Sequence, residues 1–279
     1  MTDIFKEIIN KSDVKYLTNF ISYFWFTHGY SVYNCMLIYA QRPGAVLLAT
    51  EKQWEKYYGR FVRNDVTPIV IMKPFGPIEF IYEYSDTYGD TEVLPKDVYD
   101  YRNENIKDWW VDEMVNSLGF HEILYLEKNF GTMQQGELRI LEKPFVYDYY
   151  LKNGNKKIIK TDCCITLNPQ KSKHTKFLSI IHELGHLFCG HLKRGEYTPK
   201  AIKFDERNGL SNYQMEAEAE FVTEMVLGVL GVEYDPTDYL NGYNNAAEEC
   251  RINYTELIKA VDNVLKIVPK CIGGKWKAQ

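Results

Sequence analysis

Apolar positions change period along the chain. Residues 1–40 are rich in apolar side chains at helical spacing, which predicts helices broken near Lys11-Ser12-Asp13 and His28-Gly29. Thr50, with Gln53 in the capping-box position, predicts a short helix that carries Trp54 and stops at Gly59. Two strands follow, Thr67 to Met72 and Ile78 to Tyr84, with Pro74, Gly76 and Pro77 as the turn between them. Helices followed by paired strands predict an α+β domain. Residues 86–98 are acidic and turn-rich, with Gly89, Asp90 and Pro95, and the domain boundary is placed there, dividing the chain into 1–98 and 99–279.

The second part opens with a predicted helix from Ile106 to Leu118 that holds Trp109 and Trp110. Short strands are expected at Ile123 to Leu126 and Arg139 to Leu141. Pro144 to Leu151 and Lys157 to Leu167 read as a hairpin across Asn153-Gly154, a pair that favours a type I′ turn. A mostly apolar helix is predicted over 174–192, then a long polar loop over 193–212 that could cover a site. A further helix runs from Met215 to about Gly231. Asp235 to Asn245 reads as a turn region, Ala246 to Val268 as an amphipathic helix, and Lys270 to Gln279 as a basic tail.

Chemistry enters on the helix over 174–192. His182-Glu183-Leu184-Gly185-His186 is an H-E-x-x-H motif, a spacing associated with zinc hydrolases. Residues four apart share a helix face, so His182 and His186 can aim two imidazoles at one ion. Glu183 stands beside them and can reach a water on the open side of that ion. Leu178, Ile181, Gly185 or Leu184, and Phe188 follow the helical period, so these polar residues sit on a largely packed segment and need partners.

Two imidazoles need a third ligand. A metzincin would place a third His six residues after the second, whereas His191 comes five after His186, so that register is rejected and His191 reads as a helix-end residue. The run Met215-Glu216-Ala217-Glu218-Ala219-Glu220 carries acids into an otherwise apolar helix that continues to Glu224. Glu216 and Glu220 share one face, with Glu218 across the helix from them. Glu220 and Glu224 offer a competing register. A solvated face is the ordinary meaning of such a run, but Ala219, Val222 and Val226 mark this helix as packed. The first register is similar to that of thermolysin-like zincins, in which a Glu ligand is followed one turn on by an acid that orients a ligating imidazole. On that likeness Glu216 is assigned as third ligand and Glu220 as the acid behind the imidazole.

Taken together, His182 to His191 and Glu216 to Glu220 resemble the ImmA/IrrE-type metallopeptidases, closest to the ArdC-like and LtrC-like branch of mobile genetic elements. The N-terminal part supports that branch. Tyr30-Ser31, Asn34, Leu37-Ile38, Gln41 and Pro43 are similar to its opening motif, and Trp54, Gly59-Arg60 and Val62 to the segment after it. Ser85-Asp86-Thr87 lies in a further similar stretch, and the likeness covers roughly 15–95 and 160–245. The resemblance implies an ArdC-like N-terminal α+β domain that binds single-stranded DNA, followed by a zincin-like peptidase domain. It implies Zn2+ on His182, His186 and Glu216, Glu183 as catalytic acid and base, and antirestriction activity in some members. In zincins a sheet edge beside the cleft can pair with extended substrate, and the strand over 157–167 is the candidate edge.

Composition narrows these expectations. The chain has 279 residues, 45% hydrophobic and 25% charged, normal for a globular protein with a sizeable core. Net charge is −5, without the basic balance of a dedicated nucleic-acid binder. Any DNA contact must be local, and Arg42, Lys52, Lys56, Arg60 and Arg63 around Trp54, Tyr57 and Tyr58 are the candidate footprint. Glu51 and Glu55 dilute that field, and Trp54 reads as a core anchor. No apolar run is long enough for a membrane span, and the N-terminus lacks a signal-peptide layout. The six cysteines are scattered, with no C-x-x-C, and read as reduced thiols of a cytoplasmic protein. Cys189 is near the motif but reads as a core thiol.

Three functions stay open at this level: a zinc endopeptidase acting on a protein or peptide, a DNA-binding antirestriction protein with secondary or no peptidase activity, and an inactive zincin whose metal only joins two helices. Tyr213 and His191 are the candidates for stabilising an oxyanion.

Overall fold

Side-chain caps set most helix boundaries. The computed structural model describes residues 4–73, 76–90, 104–131, 135–151, 153–234 and 252–273. These fall into two compact units, one within 1–102 and one within 103–274. The expected 98/99 boundary lies outside the described residues, as do the turn region over 235–245, positions 246–251 of the last predicted helix and the tail from 274. Both units mix helices with sheet, the α+β class expected.

The first unit begins with α1 (Ile4–Lys11), α2 (Val14–His28) and α3 (Val32–Gln41). Asp13 caps α2 by accepting from the Tyr16 N–H, Ser31 caps α3 from Asn34, and Gly29 ends α2 in the left-handed region at φ 68°. Strand β1 (Leu48–Ala49) leads into α4 (Glu51–Tyr58), where Thr50 and Gln53 form the expected capping box and Gly59 the C-cap. Short strands β2 (Phe61–Val62), β3 (Ile69–Ile71), β4 (Glu79–Glu83) and β5 (Thr87–Tyr88) complete the unit. They pair antiparallel in the order β1-β4-β3, with β2 and β5 as a separate ribbon. Trp54 is fully buried against Leu47 and Ala49, and its indole N–H donates to the Tyr82 carbonyl at 3.0 Å.

Two amides of the opening motif cap a sheet edge. Asn34 exchanges hydrogen bonds with the backbone of Met72, both at 3.0 Å. Gln41, two helical turns on, does the same with Val70, both at 2.9 Å. Side chains on α3 therefore satisfy backbone groups along β3 that another strand would otherwise seek.

The second unit contains α5 (Asp108–Phe120), β6 (Leu124–Glu127), β7 (Gly136–Tyr150), β8 (Lys156–Leu167), α6 (Lys173–Phe188), α7 (Asn212–Leu230) and α8 (Tyr254–Ile267). The sheet order is β6-β8-β7, with β6 parallel and β7 antiparallel to β8. Three sequence expectations change here. The strands predicted at Arg139 to Leu141 and Pro144 to Leu151 are one strand, which absorbs Pro144 in a register irregularity between Ile140 and Phe145. The hairpin turn is not type I′: Leu151 N–H bonds Asn155 O at 2.8 Å, and of Asn153 and Gly154 only the glycine takes positive φ, at 82°. That is the pattern of a three-residue loop closed by a left-handed glycine. Finally, β8 is the central strand, so among the described residues the sheet edges are β6 and β7 and not the 157–167 strand.

Between α6 and α7 the predicted polar loop is tied down. Asp162 on β8 is buried and accepts from Tyr197 N–H at 2.7 Å and the Thr198 hydroxyl at 2.8 Å. Arg194 donates to the carbonyls of Ile202 and Pro199. No helix among the described residues is long and apolar enough to cross a membrane.

Candidate metal centre

Close approach of α6 and α7 builds the site. A Cβ on Gly185 would lie 3.1 Å from the Ala219 carbonyl oxygen and 3.2 Å from its Cα. Glycine in the motif and alanine opposite it therefore let the two backbones meet. Ser172 caps α6 and Ser211 caps α7, each by accepting an N–H three residues on. The meeting places Glu216 of α7 over the face of α6 that carries His182 and His186.

The three expected ligands converge. His182 Nε2 lies 3.2 Å from Glu216 Oε2 and 3.1 Å from His186 Nε2, and His186 Nε2 lies 3.6 Å from Glu216 Oε1. One donor atom from each falls in a single cluster able to hold a metal ion. Glu216, not Glu220, reaches both imidazoles on this side. Glu220 is buried behind His182: its Oε1 accepts from the Tyr234 hydroxyl at 2.5 Å, and its Oε2 stands 3.4 Å from His182 Nδ1. That Oε2 has no hydrogen-bond partner among the described residues, an orphan acceptor aimed at the imidazole. Glu224, behind Glu220, is a carboxyl whose pKa burial raises.

Charge in the cluster is strongly coupled. Burial works against protonation of His182, but contacts from Glu216 and Glu220 outweigh it and lift its pKa to about 9. His186 moves down because burial dominates, despite Glu216. Glu216 is held far below the usual carboxylate range by His182 and His186. Glu183 behaves differently. Burial, with the Glu216 charge added, pushes it up to about 7, while His182 and a hydrogen bond from the Leu138 backbone pull the other way. The start of β7 thus runs beside Glu183, and a Cβ on Gly136 would come within 3.6 Å of its Oε1 and 2.4 Å of Leu167 Cδ2.

His191 and Glu218 were not assigned as ligands, and the structure places both next to the cluster. His191 Nδ1 lies 2.8 Å from His186 Nδ1, and its Nε2 lies 3.1 Å from Glu218 Oε2. Glu218 is fully buried and also takes both terminal nitrogens of Arg207 and the amide of Gln214. Cys189, His191 and Glu218 are close enough to form a second donor cluster. A cation there would face the Arg207 guanidinium and displace bonds that already satisfy the carboxylate, so it is the poorer metal site. With both ring nitrogens engaged and only 2% of the side chain exposed, His191 is not available as an oxyanion donor. Tyr213 lies in the first turn of α7, half-buried, one turn before Glu216. Cys189 is a buried thiol whose pKa burial raises, as expected of a core cysteine.

The five-cation footprint of the first unit does not survive intact. Arg42 pairs with Asp86 at 3.1 Å. Arg60 is buried: it donates to the Thr87 hydroxyl, the Thr87 carbonyl and the Gly89 carbonyl, and its guanidinium lies 4.2 Å from the centre of the Tyr84 ring. Both are structural cations, consumed by partners that sequence spacing does not reveal. Lys52, Lys56 and Arg63 are exposed. Tyr57, Phe61 and Tyr88 are exposed in the same unit, and the Phe61 and Tyr88 rings lie 5.8 Å apart on the β2–β5 ribbon. No family model, curated protein or solved structure matches the chain.

Proposed function

We propose that the second unit is a zinc-dependent peptidase domain of the ImmA/IrrE type, hydrolysing a protein or peptide. One observation carries the reading: two imidazoles and a carboxylate, His182, His186 and Glu216, bring one donor atom each into a single cluster beside the Glu183 carboxyl. Zinc bonded tetrahedrally to N and O at about 2.0–2.1 Å holds its donors about 3.3 Å apart. The separations of 3.1, 3.2 and 3.6 Å among His182, His186 and Glu216 suit that ion. A donor set with two imidazoles also favours zinc and its neighbours over magnesium or calcium. When bound, zinc would lower the pKa of a water to about 7 and polarise a carbonyl. Glu183, buried beside the two imidazoles, would take a proton from that water and deliver it to a leaving amine. The outer edge of β7, whose Leu138 backbone already donates to Glu183, offers an extended peptide a strand to pair with.

The test is elemental analysis of protein purified without added metal, alongside casein hydrolysis. Wild type should hold about one zinc per chain; Glu216→Ala should lose it. Glu183→Gln should keep the zinc and lose about 10²- to 10⁴-fold in hydrolysis. Wild type without zinc, or hydrolysis unchanged in Glu183→Gln, removes the reading. Zinc with no hydrolysis in wild type leaves the metal as a clamp between α6 and α7.

A second reading, single-stranded DNA binding of the antirestriction type by the first unit, is favoured by the exposed rings of Tyr57, Phe61 and Tyr88 beside Lys52, Lys56 and Arg63. Anisotropy titration of a fluorescent oligothymidylate tests it: saturable binding lost on Phe61→Ala supports it, and no binding at low salt refutes it.

A further inference from the structure

The two histidines of the motif are supported in different ways, and the difference assigns roles to residues outside the ligand set. His182 has a carboxylate, Glu220, directly behind Nδ1. His186 has none. Its Nδ1 instead meets Nδ1 of His191, and the far nitrogen of His191 meets Glu218.

The protons in this chain can be placed. Glu218 already accepts from Arg207 and Gln214, so it is an ionised acceptor and His191 Nε2 must be the donor to it. For His186 to offer Nε2 to a metal its proton must sit on Nδ1, so His191 Nδ1 is then the acceptor of the pair. The 2.8 Å contact is then a hydrogen bond donated by His186 Nδ1–H. That tautomer leaves the lone pair of His186 on Nε2, the atom that faces His182 and Glu216. Every nitrogen from Arg207 to His186 thus has a single consistent role. The end of the chain is also held: Arg207 N–H donates to the Gly190 carbonyl at 3.0 Å, and a Cβ on Gly190 would meet Asp205 O at 2.0 Å, so the loop returns tightly against the segment that carries His191.

We propose that His191 and Glu218, with Arg207 behind them, are positioning residues that hold His186 in the metal-binding tautomer and orientation. This rests on the zinc reading above. Groups behind a ligating histidine orient it and raise its basicity, and their loss typically lowers metal affinity about 10- to 100-fold. The arrangement also links the loop over 193–211 to the metal centre through Arg207.

The experiment is zinc affinity by chelator competition, with the visible spectrum of the cobalt(II)-substituted protein, on wild type, His191→Phe and His191→Gln. His191→Phe keeps an aromatic ring but can neither accept from His186 nor donate to Glu218. It should weaken zinc about 10- to 100-fold and shift the cobalt bands, while the metal-free protein keeps its circular dichroism. His191→Gln, whose amide can both accept and donate, should recover part of both and serves as the probe if His191→Phe does not fold. Affinity and spectrum unchanged in both variants would overturn the relay and leave the zinc reading standing. Two zinc ions per wild-type chain, one of them lost in His191→Phe, would overturn it in favour of a second metal at Cys189, His191 and Glu218. No zinc in wild type would overturn both.

Discussion

His28 and His182 are largely buried imidazoles in different units, and the protein drives them in opposite directions. His28 falls to about 4 because burial dominates, with only a backbone contact at Leu48 opposing it. Its ring is stacked on Tyr30 and packed against Phe24, and among the described residues no carboxylate contributes to its shift. His182 rises to about 9 because Glu216 and Glu220 outweigh the same burial. Burial alone produces a neutral packing residue. Burial with converging acids produces a site. The same lesson separates the two sets of charges read from sequence. Acids on α7 converge on α6 because helix spacing and a Gly185–Ala219 contact leave them nowhere else to point. Arg42 and Arg60 instead disperse into their own local partners.

The sharpest break of this contrast is at the helix contact. Gly185→Val puts branched carbon where 3.1 Å already separates a Cβ from Ala219 O. Overpacking of this kind costs about 1–3 kcal/mol, and the top of that range is expected because the obstacle is backbone. The separation of Glu216 from the imidazoles should weaken zinc as well. Thermal unfolding with and without zinc checks it: a variant as stable as wild type and equally stabilised by zinc would show that the approach does not build the site.

Arg60→Ala should come next, costing about 2 kcal/mol, because it leaves the Thr87 and Gly89 carbonyls without a charged donor inside the first unit. If Arg60 were a phosphate contact rather than a structural cation, urea unfolding would be unchanged and only DNA affinity would fall.

What could be read in advance follows the range of the interactions. The motif helix, its partner, the break near Asp13 and the capping box at Thr50 are local, so spacing alone predicts them. Glu216 was reached through likeness to known zincins, and the structure brings it to the imidazoles. His191 and Glu218 were present in the motif region, yet their pairing depends on Arg207, which lies in a loop with no period. Residue spacing within a helix carries no sign of it. The one available signal was Gln214 one turn before Glu218, an amide and an acid sharing a face of a packed helix. The pairing of Asn34 and Gln41 with β3 spans 38 and 29 residues, beyond any local pattern. Conversely Pro144 broke the predicted strand because proline ordinarily ends one, whereas an edge strand tolerates it at an irregularity.

pH sharpens the histidine half of the contrast. His28 has a folded pKa near 4 against an unbound value of 6.5, so the fold favours its neutral form. Its stability contribution is complete above pH 6.5 and declines as pH falls through that value toward 4. Below about 4 both states are protonated and the decline from this group stops. Urea midpoints followed from pH 7.5 to 4.5 should fall less steeply in His28→Phe than in wild type. Parallel pH slopes would mean that the aromatic cage does not exclude the charge.

The smallest expected effect concerns Lys52, Lys56 and Arg63, and it isolates what is left of the footprint. Exposed cations contribute little to stability, so the triple alanine variant should unfold within about 0.5 kcal/mol of wild type. Binding to a single strand by phosphate contacts would respond differently, since each neutralised phosphate adds about 0.7 to the slope of log affinity against log salt. Loss of three contacts should therefore flatten that slope by about 2, whereas Arg42→Ala, already paired to Asp86, should leave it unchanged. Equal slopes in wild type and the triple variant would mean these cations only solvate the surface. A change in slope for Arg42→Ala would mean that its pairing with Asp86 opens for DNA, and the division between structural and surface cations in this unit would fail.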